Sequence, residues 1–425
     1  MSGGGGGGKG WIYALVGGAI LCGLGQAHVG PGWLHAAFLA VGGLAVVFAS
    51  CEAMILSVEA LGKRLRWNQF VAGTVAGLAS NVPEVVMLAF VILKEPRVAF
   101  VVTALTLHVG ALVFGIYSGL LPRDETGQAR MPDPLVKLST DLYACAGGAF
   151  LAVGSVMILM RLFNRGENDA ALTSGDLYAI GSCLLFVEVV AVWYLVRRFS
   201  AAEAPQPAAV AAAADAPAAQ IAEAPAAEAP TAEAPAAEAP AKPAPAEAEH
   251  EEEMPGWGVV LFFGALGVAT SILGGHAVGE FADALVSALT LRGYSEMVCA
   301  IVIAVFASAG AFLMLASAHS KGMHDLALAN ISGQVNQVPF VVMPISMILI
   351  GLFVQTGVIK DPKLLPKGGG ALAIDLETTS VMFLSFPIML ILWKSVQDDG
   401  KVNWLETASM VALFGLTVYL LAQHG

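Results

Sequence analysis

Long uninterrupted apolar runs constrain this chain more than any other feature. Several of them reach or exceed the roughly 20 residues an α-helix needs to cross a bilayer. The chain is 425 residues long, 57% hydrophobic, with a mean hydropathy of +0.74, far above a water-soluble domain. Lipid offers backbone groups no hydrogen-bond partner, so such runs become helices that satisfy themselves. The expected fold class is an all-α polytopic membrane protein with about eleven transmembrane helices. Their expected positions are 11–30, 33–62, 69–93, 98–121, 135–163, 175–199, 257–290, 296–320, 325–354, 372–395 and 403–423. The run from Trp11 lacks a small-residue cleavage site and reads as a first span, not a removed signal.

The net charge of −12 comes mostly from one segment. Residues 200–256 hold eleven acids and a single base, Lys242, which leaves about −2 for the membrane part. Their Ala/Pro/Glu repeats carry almost no bulky apolar residue and are expected to form a disordered, semi-extended tether. A calcium-sensing role for "EHEEE" (249–253) is an alternative to a solvated linker. No basic stripe is present, so nucleic-acid binding has no support. The five cysteines, Cys22, Cys51, Cys145, Cys183 and Cys299, show neither zinc-site nor disulfide spacing and read as small buried apolar residues. With the N-terminus inside, thirteen of the twenty-one Lys and Arg residues fall on inside segments. That bias predicts a cytoplasmic N-terminus and tether. The expected location is a bacterial inner (plasma) membrane. The sequence says nothing of oligomeric state.

An internal repeat organises the rest. Glu52 and Glu280 are 228 residues apart, as are Ala60/Ala288, Leu61/Leu289, Ala79/Ala307, Ser80/Ser308, Leu177/Leu405 and Phe186/Phe414. The units are spans 2–6 and 7–11. Five spans is an odd number, so the second copy enters the membrane from the opposite side. The expected organisation is a Gly-rich tail (1–10), an extra first helix (11–30), repeat 1 (31–199), the linker (200–256) and repeat 2 (257–425). Inverted repeats mark secondary transporters, with the site at the midplane between the copies.

"LASNVPEVVMLAF" (78–90) supplies the chemistry. Pro83 has no amide hydrogen and is expected to disturb the helix, freeing carbonyls near Ser80. Asn81 and Glu84 are three apart and share a helix face. Freed carbonyls, an amide oxygen and a carboxylate together suit a hard cation. The bland alternative is a proline kink with Glu84 hydrogen-bonded to a neighbour. His108, within an apolar span, is a proton-relay candidate or simply a buried, bonded histidine. Glu52 and Glu280 occupy equivalent places in the two repeats and are candidates for the access paths. His276 lies four residues before Glu280 on the same face, a pairing able to relay protons; facing headgroups is the alternative. His319 and His324 read as solvated loop residues. No nucleophile elbow, P-loop or HExxH motif is present, so neither an enzyme nor an ATP-driven pump is expected.

The chain resembles the calcium/cation antiporter superfamily, most closely its calcium/proton exchanger branch. "SNVPEVVMLAFVIL" is similar to that family's first signature helix. "MHDLALANISGQVNQVPFVVMPIS" is similar to the segment after the second one, with Gly333, Gln337 and Pro344 at matching positions. "DLETTSVMFLS" and "DDGKVNWLETASMVALFGLTVYLLA" resemble the last two spans. The resemblance implies an exchanger-type fold and cation/proton antiport by alternating access, with Ca²⁺ or Na⁺ and H⁺ as transported ions and no cofactor. It implies that Glu84, Asn81, Ser80, Asn336 and Gln337 bind the cation or proton, with Glu84 and Asn81 as metal ligands. One departure stands out. Repeat 2 of that family carries its own Asn and Glu, whereas here the stretch reads "ASAGAFLML", with Ser308 or Ala309 and Ala311 or Phe312 in those places. A second carboxylate is missing, and His108 stands where the offset predicts the partner of Asn336. The rival reading is a degenerate, non-transporting homologue acting as a sensor or scaffold through its tether.

Overall fold

In a computed structural model the protein is described over residues 10–65, 67, 69–121, 123, 129–130, 133–163, 170–200, 255–308, 311–312, 315–316, 319, 324–367, 369–397 and 401–424. The glycine tail up to residue 9 and linker residues 201–254 lie outside the described residues. The helices are α1 (Gly10–Gln26), α2 (Gly32–Leu65), α3 (Gln69–Lys94), α4 (Pro96–Leu120), α5 (Asp133–Phe163), α6 (Ser174–Ser200), α7 (Trp257–Thr290), α8 (Glu296–Ala307), α9 (His324–Gln337), α10 (Met343–Gln355), α11 (Leu376–Gln397) and α12 (Trp404–His424). A π-helical turn, Val338–Val342, joins α9 to α10. Among the described residues nine helical segments are long and apolar enough to span a bilayer, while Gly10–Gln26 and Met297–Ala307 are apolar but shorter. The protein is an integral membrane protein built of helices.

Two long helices, α2 and α7, pack antiparallel through small residues. A Cβ on Gly274 would come 2.9 Å from Val47, and one on Gly267 would come 2.6 Å from Met54. Close approach of this kind suits membrane helices, where packing replaces the hydrophobic drive. The seam carries polar pairs too: Ser50 Oγ lies 2.6 Å from both Ser271 Oγ and the Gly267 carbonyl. On the far side of the bundle α5 packs against α11. Between these pairs lies α4, whose residues Val98–Leu107 have essentially no exposed surface. Large apolar side chains such as Phe262 on α7, Phe186 on α6 and Tyr419 on α12 are instead exposed, as a lipid-facing perimeter requires. Cys145 and Cys183 are exposed as well, while Cys22, Cys51 and Cys299 are buried as expected.

Two short antiparallel ladders tie the two halves of the chain together. β1 (Ala129–Arg130), between α4 and α5, pairs with β4 (Lys401–Val402), between α11 and α12. β3 (Leu372–Ala373), between α10 and α11, pairs with β2 (Ala171–Leu172), between α5 and α6. Each half thus pairs two of its loops with two of the other half, at opposite ends of α5. An inverted pair predicts this arrangement. Capping boxes follow the strands. Thr173 and Asp176 exchange backbone-to-side-chain bonds of 2.8 and 3.2 Å, and Asn403 and Glu406 do so at 2.9 and 3.0 Å. Thr173 and Asn403 are 230 residues apart, not 228. The Leu177/Leu405 and Phe186/Phe414 matches are therefore two residues out of register. Exposure agrees: Leu177 is fully buried and Leu405 is 76% exposed.

Candidate functional site

A cavity opens where α2, α3, the continuation of α8 and α9 meet. It is lined by Val47, Cys51, Gly77, Asn81, Glu84, Ala307, Ala311, Asn330, Gln334 and Gln337, and encloses about 430 Å³ of empty volume counted out to its mouth. The lining starts near the middle of α2 and α3 and runs toward the ends that carry Gly77 and Asn330. All its polar side chains sit on α3 and α9 except the Cys51 thiol.

α3 stays helical through Pro83, contrary to the expected disturbance. Pro83 still has no N–H to give the Ala79 carbonyl, so the loss is one hydrogen bond in place and not an unwinding. Burial of Asn81, Pro83, Glu84, Met87 and Leu88 holds the helix against that loss. Asn81 Nδ2 donates to Gln337 Oε1 at 2.6 Å, joining repeat 1 to repeat 2 across the cavity. Gly77 makes room for this pair, since a Cβ there would come 3.2 Å from Gln337 Nε2. Glu84 is 6% exposed. Thr106 on α4 is within hydrogen-bond reach of its carboxylate. The Thr106 hydroxyl donates to the Thr103 carbonyl at 2.7 Å. Glu84 Oε1 has no partner.

Gln334 Oε1 and Asn336 Oδ1 are likewise buried without a partner. Buried acceptors are nearly always bonded, so orphans grouped in one region call for an explanation. Gln334 lines the same cavity as Glu84. Asn336 does not; its Nδ2 donates to Ser139 Oγ on α5 at 3.0 Å, within a cluster that includes Ser332 and Tyr143. The structure therefore brings together Glu84, Asn81 and Gln337 and sets Asn336 to one side. The side chain of Ser80 lies outside the described residues. Gln334 and Asn330 were missed by motif reading. Their signal is a stripe: Asn330, Gln334 and Gln337 stand at i, i+4 and i+7 on one face of α9. The π turn directly after Gln337 contains Pro339, which cannot donate to a helical carbonyl; the wider turn absorbs that defect next to the cavity.

Ala311 lines the cavity, whereas Phe312 packs against the apolar core. Among the described residues a single carboxylate, that of Glu84, lines this space. The other candidates lie elsewhere. His108 is fully buried, its Nδ1 2.9 Å from the Ala104 carbonyl and its Nε2 unpartnered. Glu52 is partly buried, next to cavity-lining Cys51, but outside the lining. His276 and Glu280 do not pair with each other. Glu280 meets Lys94 Nζ at 3.3 Å, and the His276 ring packs 5.5 Å from that of Phe90. The α3–α7 contact explains this, because it delivers a full cation to the carboxylate and an aromatic face to the imidazole. No group of three or more His, Cys, Asp or Glu side chains able to hold a metal occurs among the described residues.

Residues 257–423, nearly the whole of repeat 2, match the family model described as sodium/calcium exchanger protein. A search of curated protein sequences finds no match. Among solved structures, the H⁺/Ca²⁺ exchanger CAX is similar with a TM-score of 0.59 at 12% identity, covering 97% of this chain and 88% of that one. Native YfkE is similar with a TM-score of 0.54 at 13% identity, covering 97% and 99%. At such identities the likeness is one of fold. Family match and fold together bear out the resemblance to the calcium/cation antiporter superfamily.

Proposed function

We propose that this chain, which has the fold of the calcium/cation antiporters, is a secondary-active antiporter exchanging Ca²⁺ or Na⁺ for H⁺ by alternating access. The observation that carries the reading is the pair of unpartnered acceptor oxygens, Glu84 Oε1 and Gln334 Oε1, facing one mid-bundle cavity. Intramembrane carboxylates are costly and mark ion or proton pathways. Lone pairs without donors are what a cation, or a proton on Glu84, would satisfy. Glu84 takes the cation or the proton but not both, and that competition couples the two fluxes. Asn81, Gln334 and Gln337 supply neutral oxygens, with Asn336 holding α9 to α5 behind them. The two repeats rock about the site and expose it alternately to each side of a bacterial plasma membrane, with the N-terminus and linker cytoplasmic. The process needs no cofactor beyond the transported ions.

A second reading rests on Ala311. With alanine in place of the second acid, the chain is a non-transporting exchanger homologue that senses or scaffolds. Flux in proteoliposomes separates the two. Ca²⁺, Na⁺ and K⁺ are each tested against a pH gradient, with the unmodified protein and Glu84→Gln side by side. Antiport predicts coupled flux that Glu84→Gln abolishes while membrane insertion stays normal. Wild-type flux in Glu84→Gln removes Glu84 as the coupling residue, and no flux with any ion favours the second reading.

A further inference from the structure

Where α4 ends, side chains from three separate segments meet away from the central cavity. Tyr117 is buried, and its hydroxyl lies 3.2 Å from His319 Nδ1 and 3.4 Å from His324 Nδ1. The His319 ring stands edge-on to Tyr117, with centroids 5.6 Å apart, and 5.0 Å from the His324 ring. These imidazoles are thus not merely solvated loop residues. Both turn the same nitrogen toward one phenol oxygen more than 200 positions away in the chain. His319 is exposed, His324 is half-buried and opens α9. Around them Arg123 stacks over Trp404 at 4.0 Å, and Glu406 is engaged in its capping box on α12.

Zinc binds imidazole nitrogen and oxygen at about 2.0–2.2 Å, usually in a tetrahedron. Ligand atoms on such a tetrahedron lie roughly 3.3–3.5 Å from one another. The two oxygen–nitrogen separations match that edge length. We infer that Tyr117, His319 and His324 form a binding site for a divalent transition cation, Zn²⁺ by ligand type, with two neutral imidazoles and a phenol that releases its proton to solvent as the ion binds. Two nitrogen donors of three disfavour Ca²⁺ and Mg²⁺, which prefer oxygen. Exposed His319 provides the entry, and water fills the fourth position. The bound ion clamps the end of α4 to the start of α9, six residues before cavity-lining Asn330.

The test uses tag-free, full-length, detergent-purified protein carrying Glu84→Gln and Cys51→Ala, so that the central cavity contributes no strong ligand. It also carries His28→Ala and His35→Ala, because that exposed pair holds its Nδ1 atoms 3.2 Å apart and would itself chelate. Co²⁺ is titrated by its visible absorption and then displaced with Zn²⁺. A single saturable tetrahedral site is expected. His319→Ala or His324→Ala should weaken Zn²⁺ binding ~10-fold or more, since even outer-sphere changes around metals reach that size. Tyr117→Phe keeps both imidazoles and should change the Co²⁺ spectrum while the protein stays monodisperse. Zn²⁺ affinity unchanged in the His319→Ala/His324→Ala double variant, or no saturable Co²⁺ site before it is made, overturns the inference.

Discussion

Substituting Ala311 by glutamate tests the charge logic of the central cavity. Ala311 lines the same space as Glu84, so a carboxylate there would flank the same bound ion. At an effective dielectric of 20 and a separation of about 4 Å, one carboxylate attracts a monovalent cation by about 4 kcal/mol. A divalent cation gains twice as much. Burying the new carboxylate has a cost, but the cost is common to both ions and drops out of their ratio. The preference for Ca²⁺ over Na⁺ should therefore rise by up to about 4 kcal/mol, roughly a thousand-fold, and by at least tenfold after relaxation and water entry. Calorimetric Ca²⁺ binding to purified protein, repeated across a Na⁺ series, measures that ratio directly. In the unmodified chain Ca²⁺ should bind weakly and Na⁺ should compete well. Phe312→Glu is the control, because it places the acid in the apolar core and should lower stability without raising Ca²⁺ affinity. Tight Ca²⁺ binding by the unmodified protein, indifferent to Na⁺, would refute the reasoning. So would an Ala311→Glu variant that folds but leaves the ratio unchanged.

Gln334→Leu removes a buried acceptor that has no partner, so melting in detergent should show stability kept or raised by about 1–3 kcal/mol. Cation affinity should fall in the same protein; lost stability together with unchanged affinity would make Gln334 structural. Gly274→Leu drives a side chain into Val47 across the α2–α7 seam and should cost roughly 1–3 kcal/mol or more, read as a lower melting temperature. Deleting residues 205–250 removes only Ala/Pro/Glu-rich sequence and should leave cation binding at Glu84 within experimental error; loss of binding would make the linker part of the site.

The sequence alone determined the solvent, nine of the spans and the intramembrane acid. Each rests on a local property: twenty apolar residues in a row have only one way to meet lipid, and a carboxylate among them is conspicuous wherever the chain goes. The α9 stripe Asn330–Gln334–Gln337 is legible too, by its spacing. Other facts depend on which residues face each other across long stretches of chain. The choice between Ala311 and Phe312 needed the rotation of one helix about its axis, which a repeat of small residues does not specify. Register between α6 and α12 needed the capping boxes, because leucines and phenylalanines match at many offsets. Pairing of Glu280 with Lys94 rather than His276, and of His319 and His324 with Tyr117, came from helix contacts that no local pattern encodes. Tertiary packing alone decides which polar groups in a membrane interior find partners, and so which oxygens remain free for an ion.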